Sequence, residues 1–192
     1  MKTIIAIIAA GAVCAAAHTL KAQHYAPSPD LEAVHVPFDA VLDMHVRDGL
    51  VYYRALQSER GRLSRYVASL DAPAVTAAYS KWPDDQKKAF WLNAYNALVL
   101  QTVVNNYPIH RRSQMYPANS IRQIPGAFEK TAHRVAGQSL TLDQIETTVL
   151  AAFEDPRVYL ALGRGAVGSG RLRADQAIQP EIGRAGDFLT VL

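Results

Sequence analysis

The clearest hydrophobic pattern covers residues 89–104, where apolar side chains occur on nearly every face of a helix. Pro83 and the two aspartates after it suit a helix start, and Pro108 prevents the helix from continuing. A helix that is apolar on all sides is usually buried in a protein core. The pattern therefore predicts a central buried helix over residues 84–105.

Two asparagines interrupt this apolar pattern. Asn93 and Asn96 are three residues apart, so they lie on one side of the predicted helix. Buried amides need hydrogen-bond partners, which leaves two alternatives: they fasten a neighbouring loop, or they bind a substrate. We favour the loop contact, because buried polar groups are usually satisfied by structural hydrogen bonds.

Shorter amphipathic patterns predict two helices before the central one. Apolar residues at helical spacing follow Phe38, and Gly49 stands where that helix would stop. A second helix is predicted over residues 63–70, where apolar residues recur at i, i+3, i+4 and i+7. The segment between them, LVYYRAL (50–56), is short and rich in β-forming residues.

The pattern changes towards the carboxyl end. Residues 133–141 are predicted to form a hairpin that turns near Gly137, and RVYLAL (157–162) is predicted to form a strand. We therefore expect a single α+β domain, in which the helix over 84–105 packs against a small antiparallel sheet made of these segments.

A helix is predicted directly after the hairpin. Thr141 and Gln144 have the spacing of a capping box, in which each side chain bonds the backbone N–H of the other residue. Glu146 falls early in this helix, where a negative charge is favourable.

The amino terminus is typical of a secretory signal peptide over residues 1–17. One lysine precedes a run of about fifteen small or apolar residues, and Ala15 and Ala17 form an A-x-A cleavage site. We expect export, with the mature protein periplasmic or secreted and without a membrane span. A polar leader (18–35) and one domain (36–192) would follow.

Charge and cysteine content narrow the possible functions. Cys14 is the single cysteine of the chain, so the mature protein would have no thiol nucleophile and no cysteine metal site. The net charge is +3, and its cations are spread among acids, which does not favour nucleic-acid binding. Residues 109–132 are predicted to form a long irregular connection that is basic at HRR (110–112).

A glycine-rich segment follows the predicted last strand. Gly163, Gly165 and Gly168 spell G-x-G-x-x-G, the fingerprint of a dinucleotide-binding turn. Too few residues follow Gly170 for a crossover helix and a return strand, and glycines and a proline interrupt them. We therefore expect no dinucleotide cofactor, and no other cofactor or metal is predicted.

Four motifs occur together in a characteristic order: VRDGLVYYRAL (46–56), FWLNAYNALVL (90–100), AGQSLTLDQIE (136–146) and DPRVYLAL (155–162). In this combination the chain resembles the domain of unknown function 547 family, over about residues 36–172. Members of that family continue into a further helix and strand. The resemblance therefore implies that this chain ends early.

The chain departs from the family pattern where that pattern has cysteine and histidine. In the family the last motif resembles D-P-R-I-H-F-A-L-x-C-x-S-x-x-C-P-x-L, and Tyr159 stands at its histidine. Arg164 and Ser169 stand at its two cysteines, and Thr147 replaces the histidine of the preceding I-E-H motif. These are the residue types that a thiol nucleophile, its base or a soft metal site would need.

Two functions remain open. The first is a non-catalytic binding or interaction module, a pseudoenzyme that has lost the family's Cys and His groups. The second is a hydrolase-like enzyme, with Glu146 as acid or base, Ser169 as a candidate nucleophile, and Asn93, Asn96 and Arg157 binding a polar or anionic group. A purely structural alternative makes Arg157 the salt-bridge partner of Glu146. We favour the non-catalytic module, for which the sequence identifies no partner.

Overall fold

The computed structural model describes residues 29–164. The predicted signal peptide and Ser169 lie outside these residues. The helices are α1 (Pro29–His45), α2 (Tyr53–Ser58), α3 (Gly61–Ser69), α4 (Pro73–Tyr79), α5 (Asp84–Asn105), α6 (142–153) and α7 (Val158–Ala161). Helix α6 consists of an α-helical turn (Leu142–Gln144), a π-helix (Ile145–Leu150) and a 3-10 turn (Ala151–Phe153). The strands are β1 (Val46–Arg47), β2 (Leu50–Val51), β3 (Ala132–Val135) and β4 (Gln138–Thr141).

Helix α5 forms the centre of the core, as the sequence predicts. Every residue from Lys88 to Leu100 is buried, and Pro83 caps the helix at its amino end. Helices α1, α2, α3 and α6 all pack against α5. The α+β class and the buried central helix are therefore confirmed.

The sheets are two separate antiparallel hairpins. β1 pairs with β2, and β3 pairs with β4 with Ala132 opposite Thr141. Both turns have positive φ at their two central residues, Asp48–Gly49 and Ala136–Gly137, as a two-residue type I′ turn requires. The predicted turn at Gly137 is confirmed. Gly49 does not end a helix, however, because α1 stops at His45 and Gly49 lies in the first hairpin.

Helix α1 begins at Pro29, well before the predicted start near Phe38, and therefore includes the last seven residues of the expected polar leader. Leu31 and His35 are buried in the same core as Phe38. Their spacing of four and three residues continues the apolar face of the helix backwards. The prolines and polar residues of this segment concealed that periodicity.

The predicted strand over 157–162 is wrong, because the chain forms the short helix α7 there. The Asp155 side chain accepts the backbone N–H of Arg157, and its carbonyl accepts the N–H of Val158, which starts a helical turn. Val158 and Leu162 are buried, whereas Tyr159 is exposed, so burial follows helical spacing. A strand leading into the G-x-G-x-x-G segment is therefore absent.

The carboxyl-terminal half of the fold also confirms the predicted capping box. Thr141 Oγ1 accepts the N–H of Gln144, and the Gln144 side chain accepts the N–H of Thr141. Residues 106–131 connect α5 to β3, and they include one 3-10 turn, Ile121–Gln123. Among the described helices, none combines the length and hydrophobicity needed to cross a membrane.

Candidate functional site

The structure places Glu146 in contact with two donors from distant parts of the chain. Tyr95, fully buried on α5, donates its hydroxyl to Glu146 Oε2 at 3.1 Å. Arg164, which follows α7, donates from Nε to the same oxygen at 3.3 Å and from Nη2 to Oε1. The carboxylate is therefore bonded on both oxygens.

The protonation states of this group follow from burial and charge. Burial, and then the neighbouring carboxylate of Glu146, raise the pKa of Tyr95 above its usual range, so its hydroxyl stays a donor. The hydrogen bond to Glu146 raises the pKa of Arg164, whose guanidinium is charged at every physiological pH. The site is therefore a neutralised ion pair with a tyrosine donor.

Asn96 fixes the backbone that leads to Arg164. Its Nδ2 donates to the carbonyl of Ala161 at 3.1 Å, and its Oδ1 accepts the N–H of Gly163 at 2.7 Å. These bonds agree with the loop contact expected of a buried asparagine. Asn93, three residues earlier on α5, is fully buried.

A second ionic cluster holds the start of α7. Lys88, on α5, donates to Asp155 Oδ2 at 2.9 Å. Arg157 donates to the two oxygens of the same carboxylate at 2.7 and 2.8 Å. The bonds from Arg157 and Lys88 lower the pKa of Asp155 well below its usual range. Arg157 is therefore a partner of Asp155, and the salt-bridge partner of Glu146 is Arg164.

The remaining positions of the family's Cys and His pattern carry other groups. The Thr147 hydroxyl donates to the carbonyl of Asp143 within its own helix at 2.7 Å. Tyr159 is exposed on α7. Within residues 29–164, no group of three His, Cys, Asp or Glu side chains converges as a metal site would require.

The sequence identified Glu146 and Asn96 as candidates but did not identify the partners of Glu146. Arg164 was visible only as a replacement at a family cysteine, and Tyr95 as a neighbour of the two asparagines. The contact between Glu146 and Arg164 joins residues 18 positions apart, on either side of α7. No local periodicity reports such a contact, whereas the replacement of a cysteine by arginine was a usable signal.

Comparison with known proteins supports the resemblance seen in the motifs. No curated protein and no solved structure matches the chain significantly. Residues 79–181, which include α5, the second hairpin and the Glu146–Arg164 pair, match the family described as "Protein of unknown function, DUF547". Since this match covers more than half of the 192 residues, the chain belongs to the DUF547 family.

Proposed function

We propose that this DUF547 protein is an exported, non-catalytic binding or interaction module. The observation that carries the proposal is the bonding of Glu146 to Arg164 and Tyr95. A carboxylate that already accepts from a guanidinium and a phenol is a poor general base, because removing its partners would expose an uncompensated charge. An arginine cannot replace the thiol as a nucleophile.

The surrounding residues support the same conclusion. Thr147, at the histidine position of the I-E-H motif, uses its hydroxyl on its own helix. A serine nucleophile needs an adjacent base, and neither Thr147 nor Tyr159 is an imidazole. The hydrolase-like alternative also needs Arg157 beside Glu146, whereas Arg157 bonds to Asp155. We therefore do not favour that alternative.

Export is proposed from the amino-terminal sequence. The positive residue, the apolar run and the A-x-A site after it have the order of a secretory signal. A mature chain without cysteine is also compatible with an oxidising compartment.

The first experiment expresses the full chain in a bacterial host and recovers it from the periplasm. Mass spectrometry should find a chain cleaved near Ala17, and recovery of an uncleaved cytoplasmic chain would contradict export. The purified protein is then assayed with p-nitrophenyl esters and a fluorogenic peptide. We expect no turnover above that of buffer, because other residues stand at the family's cysteine and histidine positions.

Two variants make the assay decisive. Glu146→Gln keeps the shape of the side chain and removes its charge, and Ser169→Ala removes the candidate hydroxyl. Turnover by the unmodified protein that either substitution abolishes would refute the non-catalytic proposal. Turnover that survives both substitutions would indicate a contaminating hydrolase. A second chromatographic step should then separate the activity from the peak of the purified protein.

A further inference from the structure

The loop formed by residues 109–117 has its backbone held by one buried side chain. Gln123 is only 2% exposed, and its Oε1 accepts the N–H groups of Arg112 and Ser113, both at 2.8 Å. Its Nε2 lies 2.8, 2.9 and 3.2 Å from the carbonyl oxygens of Ser113, Tyr116 and Pro117. The loop is irregular, but these bonds give it one defined backbone arrangement.

The 109–117 loop carries uncompensated positive charge. Arg111 and Arg112 are both exposed, and within residues 29–164 neither guanidinium forms an ion pair. The sequence contains no Asp or Glu between Asp85 and Glu129. Glu129 is already bonded to Arg122 at 2.7 Å, so the acid nearest in sequence does not neutralise the loop.

An exposed apolar side chain follows these cations three residues further along the loop. Met115 is 79% exposed, more than any other large hydrophobic residue of the described chain. Methionine is flexible and polarizable, and it is common at surfaces that adapt to a binding partner. The 109–117 loop therefore presents two cations and one apolar group on a backbone that is already ordered.

We propose that the 109–117 loop is a docking surface for an acidic segment of another protein. Arg111 and Arg112 would bind carboxylates of that segment, and Met115 would contact an apolar side chain between them. Arginine suits this role because its planar guanidinium can donate two parallel hydrogen bonds to one carboxylate. This inference rests on the proposed binding function and names the class of partner.

The order of the loop before binding lowers the entropic cost of recognition. Gln123 fixes the backbone of Arg112 itself, so little conformational entropy remains to be lost in the loop when a partner binds. Complementary charge also accelerates the encounter of the two proteins.

The small number of cations distinguishes a protein partner from a membrane. Surfaces that bind anionic lipid usually gather about four to eight lysines or arginines. The 109–117 loop has two arginines and one histidine. Two fork-shaped donors match two carboxylates of a peptide, whereas they supply a weak attraction to a charged bilayer.

The test uses a fluorescein-labelled peptide of glutamates with interspersed leucines and follows its anisotropy as protein is added. The main variant is R111A/R112A. Its matched control is R60A/R62A, which removes the same charge from two other exposed arginines that form no ion pair within the described residues. We expect the loop variant to weaken binding by about tenfold and the control by about twofold or less.

A second variant and a second ligand complete the design. Met115→Ser keeps the charge and removes the apolar side chain, so it should weaken binding by a few-fold, and unchanged binding would contradict the proposed role of Met115. Vesicles of phosphatidylglycerol, compared with vesicles of phosphatidylcholine, test the membrane alternative.

Three results would overturn the inference: no binding of the peptide, equal weakening by both double variants, or loop-dependent binding of the anionic vesicles in place of the peptide. The hydrolysis assay is run on the same preparation. Turnover that depends on Glu146 would refute the proposed function, whatever the peptide shows, so the two failures can be told apart.

Discussion

The amide side chains of Asn96 and Gln123 form hydrogen bonds with backbone groups that have no partner within a helix or strand. A carboxamide carries a donor and an acceptor in fixed geometry, so one side chain can satisfy both a backbone N–H and a C=O. Asn96 does this for Ala161 and Gly163, and Gln123 does it for the 109–117 loop. Both amides are buried, so losing either would leave backbone groups without compensation.

Substituting Asn96 by alanine should destabilise the protein by about 2–3 kcal/mol, because a buried N–H and a carbonyl both lose their partner. Urea unfolding followed by fluorescence measures this change. Asn105→Ala is the control, since Asn105 is exposed near the end of the same helix and its loss should cost under about 0.5 kcal/mol. Equal losses in the two variants would show that the Asn96 bonds contribute nothing.

For single residues, the sequence predicts a contact where burial of that residue type requires a particular kind of partner. A buried asparagine must find partners, so a loop contact could be predicted for Asn96. The partner of Glu146 could not be predicted, because α7 and the Asn96 bonds together set the position of Arg164. The sequence indicated Arg157 as that partner, whereas Arg157 bonds to Asp155.

At the scale of elements, predictability follows length and the strength of the pattern. Helix α5 has 22 residues, so its pattern and terminal signals leave no competing structure. Helix α7 has four residues, and its short apolar sequence fits a helix or a strand equally well. The bonds from Asn96 to Ala161 and Gly163 and from Lys88 to Asp155 hold both ends of α7, and these contacts depend on tertiary structure.

Two glycines, Gly137 in the second hairpin and Gly61 in α3, offer a matched pair of substitutions. Gly137 has φ +79°, and an added Cβ would lie 3.2 Å from Thr76 Cγ2, so Gly137→Ala should destabilise the protein by about 1–2 kcal/mol. Gly61, in the first turn of α3, has no atom within 4 Å of an added Cβ. Gly61→Ala should therefore be neutral or stabilise by up to about 1 kcal/mol.

Thermal melts of both glycine variants test this expectation. The informative quantity is the sign of each change in Tm, because the same methyl group is added at each site. A fall in Tm for Gly61→Ala as large as that for Gly137→Ala would contradict this expectation. It would mean that the left-handed backbone of Gly137 adds no cost of its own.

At the scale of the whole molecule, the core that forms around α5 also encloses titratable groups. His35 on α1 is buried, and its Nδ1 lies 2.7 Å from the hydroxyl of Tyr66 on α3. Burial lowers the pKa of His35 from 6.5 to about 3. Burial also lowers the pKa of His133 on β3. Because His35 packs between α1 and α3 without a proton and binds one when the chain unfolds, the free energy of unfolding depends on pH.

The sign of this linkage gives the last prediction. Between pH 6.5 and about 3 the unfolded chain binds a proton at His35 and the folded chain does not, so stability falls as the pH falls. From pH 7 to pH 5 this one group should cost about 2 kcal/mol. The pKa of Asp155 is lowered in the folded state, so its carboxylate also stabilises the fold. This stabilisation is lost only as the pH falls below the ordinary pKa of an aspartate, which is lower than that of a histidine.

Urea unfolding at pH 7, 6 and 5 separates these contributions. His35→Gln cannot titrate, so its free energy of unfolding should fall by about 2 kcal/mol less than that of the unmodified protein over this range. His110→Gln, at an exposed histidine, serves as the control. If the free energy of unfolding of His35→Gln ran parallel to that of the unmodified protein, His35 would bind its proton in the folded state. The α1–α3 contact would then not lower its pKa. A shallower slope for His35→Gln than for the unmodified protein would instead assign about 2 kcal/mol of the acid sensitivity between pH 7 and pH 5 to His35.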